Sequence, residues 1–149
     1  MSNTQIVSIA VGLPLAAVCA FLAWYLQGSP PQEWKRLHIG ETTVNVLIAD
    51  TEATRQLGLG GRSGLESSQG MFFIFPDEGL HSFWMKDMLF PIDIIWIATD
   101  GSIVHIEKHV SPGTYPQSFA PQKPARYVLE VVAGYSDTHA LSLGQKVGW

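Results

Sequence analysis

Cysteine is almost absent from this chain. The one Cys in 149 residues is Cys19, which excludes an internal disulfide and a cysteine-built zinc centre. Charge is missing from the first part of the chain, where no Asp, Glu, Lys or Arg precedes Glu33. Basic residues are few and dispersed. Nine Lys and Arg face thirteen Asp and Glu, for a net charge of -4, so the electrostatic footprint of a nucleic-acid binder is lacking. No internal repeat is visible. The Gly-rich "GLGGRSG" (residues 58–64) has Ser63 where a dinucleotide fingerprint needs Gly, and no Lys-Ser/Thr pair follows for a phosphate loop. Ser63 also lacks the G-x-S-x-G frame of a nucleophile elbow. We therefore expect a flexible turn there, no nucleic-acid partner and no cofactor.

What the first part does contain is a long apolar run. "IVSIAVGLPLAAVCAFLAWYL" (residues 6–26) has about the ~20 residues that a bilayer-spanning helix needs. Trp24 and Tyr25 fall where an interfacial aromatic belt lies, and membrane helices tolerate Pro14. A buried core helix would carry a polar stripe, which this run lacks. A cleaved signal peptide would start with basic residues and end in a small-x-small site, whereas "MSNTQ" has no Lys or Arg. "LAAVC" is faintly like a lipoprotein box, but Val18 is a poor residue before the Cys. We read residues 1–26 as an uncleaved transmembrane anchor, with the membrane as partner through residues 6–26. Residues 27–34, "QGSPPQEW", read as a Pro/Gly linker. Lys35 and Arg36 follow the span, so charge alone favours a cytoplasmic domain.

The remaining residues, 35–149, suffice for one cored domain, in a chain that is 46% hydrophobic and 15% charged. "RLHI" and "TTVNVLIA" read as a hairpin turned at Gly40-Glu41. "DTEATRQLG" reads as a short helix capped by Asp50 or Thr51 and stopped by Gly58. "MFFIF", "HSFWM", "PIDIIWIA", "IVHIEKHV" and "ARYVLEVV" read as strands, with turns at "PDEG" and "TDGS". "SPGTYPQSFAPQKP", with four prolines, reads as a long surface loop. "GYSDTHALSLG" reads as a helical turn or two. Short strands with frequent turns predict a mainly β fold, a sandwich or barrel with one or two short helices.

Two stretches carry candidate chemistry. In "HIEKH", His105, Glu107 and His109 share one strand face. Residues i and i+4 on a strand are ~13 Å apart, too far for one zinc at ~2.0–2.2 Å bond lengths, so we expect no metal and a polar strand face in water. In "HSFWMKDMLFPIDIIWI" (residues 81–97), Lys86, Asp87 and Asp93 stand among residues that favour burial. Asp93 lies in a strand apolar on both faces, and a shielded carboxylate needs a cation or several backbone N–H donors. Lys86, Arg62 and Arg126 are the candidate cations. Glu130, in "YVLEVV", makes the same demand. Two readings stand: a buried polar network that fixes strand register, or a pocket walled by Phe83, Trp84 and Met85 with Lys86, Asp93 and Glu130 as polar tips.

Arg62 after the Gly-rich loop, "GMFFIFP", "FWMKDMLFPIDIIWI", "DG", "YVLEVVAG" and "LGQKVGW" together resemble the DUF192 family, in order and over most of residues 37–149. The family pattern has Asn-Thr where this chain has Asp87-Met88, and a Met before an aromatic-Arg pair where this chain has Gly60-Gly61. The resemblance implies a jelly-roll-like β-sandwich and one linked constellation of Trp84, Met85, Lys86, Pro91, Asp93 and Glu130. It brings no established catalytic activity. Members often follow a signal sequence, which implies an extracytoplasmic domain against the charge rule. The resulting expectation is a single-pass cell-membrane protein with a binding or accessory module at the envelope, whose small-molecule or protein partner the sequence does not name. The alternative is an envelope hydrolase with Asp93 and Glu130 as acid/base carboxylates ~5–9.5 Å apart.

Overall fold

A computed structural model describes residues 33–149, so the expected anchor and most of the linker lie outside the described residues. Among the described residues no helix is long and apolar enough to cross a membrane. β1 (Lys35–Ile39) and β2 (Thr42–Ala49) form the expected hairpin, with Ile39 opposite Thr42. α1 (Glu52–Leu57) starts at a reciprocal cap. The Thr51 hydroxyl accepts from the Thr54 N–H at 3.2 Å, and the Thr54 hydroxyl accepts from the Thr51 N–H at 3.0 Å. The helix carries the chain back across the sheet, so that β3 (Gln69–Gly79) pairs with β2 in parallel. A parallel pair requires such a crossover, because a tight turn can only reverse the chain.

β3 runs on through Pro76, Asp77 and Glu78, where the sequence suggests a turn; a register shift precedes its last pair, Gly79 with Ala125. β4 is only Phe83–Trp84. β5 (Ile92–Ile97) and β6 (Ile103–Val110) form a hairpin around the Asp100-Gly101 turn. The Pro-rich loop holds a single 3-10 turn (Pro112–Thr114) and β7 (Ser118–Phe119). β8 (Ala125–Val132), α2 (Tyr135–Thr138) and β9 (Val147–Gly148) complete the domain.

The fold is mainly β, as the strand pattern predicts, but its main strands do not divide into the two facing sheets of a jelly roll. They form one seven-stranded sheet in the order β6-β5-β8-β3-β2-β1-β9, with a separate ribbon of β4 and β7. The sheet curls. Leu37 and Ile39 of β1 and Val147 of β9 share a core with Ile95, Ile97 and Ile103 from the other end of the order. A bridge between Ser102 and Lys146 pins the two ends together, and Ile103 N–H donates to the Gln145 carbonyl at 2.9 Å. Alternation supplies a second core on the other face: Met71 and Phe73 of β3, Ile92, Ile94 and Trp96 of β5, and Val128 of β8. Leu59, Met85 and Met88 cover this face from the Gly-rich loop and the turn before β5. Gly70 lets β3 and β8 approach closely, since a Cβ there would stand 2.6 Å from the Glu130 carbonyl oxygen.

Candidate functional site

The sheet register decides how the candidate residues divide. β5 and β8 pair without a shift, setting Asp93 opposite Val131 and Ile94 opposite Glu130. Side chains alternate between faces. Asp93 therefore points with Ile95 and Val131 into the curl, and Glu130 points with Ile94 and Met71 to the other face. The two acids lie on opposite sides of the sheet, which removes the acid/base pair on which the hydrolase alternative rests.

Asp93 is fully buried, and backbone donors hold it rather than Lys86 or Arg62. Its Oδ1 accepts from the N–H of His109 at 2.9 Å and of Gly134 at 3.2 Å, and its Oδ2 accepts from the N–H of Ser136 at 2.8 Å. The carboxylate thus ties the end of β6 and the start of α2 to the middle of the sheet. Positive φ at His109 (54°) and Gly134 (86°) belongs to this junction. Outside it, Asp137 accepts from Lys108 Nζ at 2.6 Å and pairs with His109 Nε2 at 2.8 Å. These two partners hold its carboxyl below the usual range. His109 is thereby drawn to Asp137, while His105 pairs with Glu107 at 3.4 Å.

Glu130 has a different setting. It is 5% exposed, and its Oε2 is buried with no hydrogen-bond partner among the described residues. Burial alone pushes its carboxyl up to about 8, so at neutral pH it is mostly an uncharged acid. It lines a half-open cleft of about 740 Å³. One wall is α1 with the Gly-rich loop, and the other is Ser82 to Trp84 with the Lys86-Asp87 turn. The loop and the turn are joined, since Gly61 N–H donates to the Asp87 carbonyl at 2.9 Å. Gly61 adopts φ +73° and Asp87 φ +59° to make that contact.

The cleft floor is aromatic. Phe83 meets Phe73 edge-on, with centroids 4.9 Å apart, and Trp96 edge-on at 5.9 Å. Phe75 stacks on His81 at 3.6 Å, and Trp96 Nε1 donates to the His81 carbonyl at 2.8 Å. Arg55 fastens α1 to β3. Its guanidinium donates to the carbonyls of Asp50 (2.6 Å) and Ile74 (2.9 Å) and lies 5.3 Å from the Phe75 ring centroid. Trp84 stands at the mouth, 54% exposed, against Tyr115 at 5.8 Å.

Of the six predicted residues, Trp84, Lys86 and Glu130 line the cleft. Met85 is buried in the core beneath it. Arg62 follows the loop turn, its N–H donating to the Leu59 carbonyl at 3.2 Å, and is not among the cleft-lining residues. Asp93 is on the far side of the sheet. Sequence reasoning missed Phe73, Phe75 and the α1 residues Arg55 and Leu57, all of which line the cleft. The period-two order of Met71, Phe73 and Phe75 was a legible signal that these rings share a face; the helix wall left none.

The class this geometry defines is a small, mainly β domain whose curled sheet carries an aromatic cleft with one buried acid. The chain belongs to the DUF192 family, described as an uncharacterised ACR, whose model matches residues 35–149. Two solved structures are similar. One, from Sinorhizobium meliloti and provisionally described as a transcription regulator, is 26% identical, with a TM-score of 0.76 over 81% of this chain and 97% of that one. The other, a protein of unknown function from Novosphingobium aromaticivorans, is 24% identical, with a TM-score of 0.75 over 82% of this chain and 91% of that one; its likeness concerns the fold alone. No curated protein matches this chain.

Proposed function

We propose that this DUF192 protein is a membrane-anchored envelope protein whose domain is a ligand-binding module, with the cleft above Glu130 as its site. One observation carries the reading: an aromatic cleft of about 740 Å³ is lined by Glu130, whose buried Oε2 has no hydrogen-bond partner among the described residues. Apolar walls with a few convergent polar groups and a shifted acid are the features of small-molecule sites. Residues 6–26 would be the anchor, supported by their unbroken apolar character. Placement of the domain outside the cytoplasm is supported by the signal sequences that often precede the family domain. A transcriptional role, as suggested for the Sinorhizobium protein, gains no support from a chain with net charge -4.

The test is a screen of small amphipathic compounds against the full chain, read from the Met85 and Met88 methyl resonances. Binders should perturb Met88, which lines the cleft, and lose about tenfold in affinity on Trp84→Ala, the loss of a moderate aromatic contact. Hits that leave Met88 unmoved and ignore Trp84→Ala would overturn the site. Protease added to spheroplasts should digest the domain while a cytosolic control survives; protection of both would reverse the orientation.

A further inference from the structure

Resting on that reading, we propose that the cleft takes an organic cation, a protonated amine on an apolar body, whose positive head meets the Glu130 carboxylate. The argument starts from what a ligand head would touch. Phe73, Phe75, Phe83 and Trp84 line the cleft around this acid. A cation that reaches a ring face gains from the negative pole of the aromatic quadrupole, a gain that the oxygen of a carbonyl or carboxylate ligand lacks. Arg55 shows the preference within the wall itself, its guanidinium lying over Phe75.

The carboxyl asks for the same partner. Oε2 of Glu130 is buried and unpartnered among the described residues, and a buried acid left so keeps its proton to avoid an uncompensated charge. An ammonium head would supply the missing donors and an opposite charge together, and the proton would leave to solvent as the ion pair forms.

The charges facing Glu130 across the cleft allow this. Arg55 and Glu52 of α1 pair with each other at 3.4 Å. Lys86 and Asp87 of the turn stand side by side at the rim, and Ser82 is uncharged. The strands flanking Glu130 present only Met71 and Ile94. With Glu130 ionised, Glu52, Asp87 and Glu130 outnumber Arg55 and Lys86 in the lining, so the occupied cleft favours a cation.

The experiment compares three probes that share one apolar body, hexylammonium, hexanol and hexanoate, on the full chain. Binding is followed by calorimetry and by the Met88 methyl resonance. Hexylammonium should bind about tenfold tighter than hexanol, the gain of a charge-assisted pair with the Glu130 carboxylate, and hexanoate weakest of all. Because empty Glu130 titrates at about 8, hexylammonium binding at pH 7 should release about one proton per site, measured from its heats in buffers of different ionisation enthalpy. Its affinity should rise from pH 6.5 toward pH 8.5. Glu130→Gln should erase both the preference and the proton release. Hexanol or hexanoate binding at Met88 as tightly as hexylammonium, or a preference that survives Glu130→Gln, overturns the cation and leaves the cleft as a site. No effect of any probe on Met88 overturns both.

Discussion

The two faces of the sheet each bury one acid from adjacent paired strands, and they treat it in opposite ways. On the enclosed face three N–H groups converge on Asp93. On the other face Glu130 keeps an oxygen without a partner among the described residues and lines a cleft. The two residues have similar chemistry and similar burial. What separates them is donor supply: the end of β6 and the start of α2 turn N–H groups toward Asp93, while the cleft that Glu130 lines is largely aromatic. A satisfied buried carboxylate organises structure, whereas an unsatisfied one carries the cost of its burial uncompensated.

The comparison breaks most visibly at Asp93. Asp93→Ala should cost about 3–5 kcal/mol in chemical denaturation, as loss of one partner in a buried charged network does, because three N–H groups are orphaned together. A loss below about 1 kcal/mol would mean that water reaches the junction and that Asp93 is not its organiser.

Glu130 should show the contrary behaviour, and its sign follows from the raised value. The folded acid titrates at about 8 against 4.5 for the ordinary group, so the folded state binds more protons between those limits. Stability is therefore fully present below pH 4.5 and falls as pH rises toward 8, by about 1.4 kcal/mol per pH unit from this group. Glu130→Gln should remove that component of the slope and make the domain more stable than the parent at pH 8.5. Denaturation curves at pH 5, 7 and 8.5 decide it; parallel pH profiles for the two proteins would place Glu130 in water.

Lys86 gives the smallest effect and the sharpest contrast with the pairing expected from sequence. It is exposed at the cleft rim, so Lys86→Met should change stability by less than about 0.5 kcal/mol. Combined with Asp93→Ala it should show no coupling. An interaction energy above about 1 kcal/mol between the two substitutions would restore a link across the sheet that the register does not provide.

Much of this was legible in the chain. The β1–β2 hairpin, a helix cap at Asp50 or Thr51, the strand character of residues 92–97 and the need of Asp93 and Glu130 for partners all follow from local pattern. The single curled sheet did not, because the parallel β2–β3 pairing and the β9 closure join segments far apart in sequence, and alternation says nothing about which strand lies beside which. The α1 wall of the cleft escaped for the same reason.

The sequence by itself determined that two carboxylates would be buried, since each lies in a strand too apolar to keep it in water. Only the tertiary structure decided that Asp93 would meet backbone donors and Glu130 an open aromatic cleft. Burial is written in the composition of a strand. The face to which a side chain points follows from the register between strands, and its partners are groups that only folding brings within 3 Å or so of it.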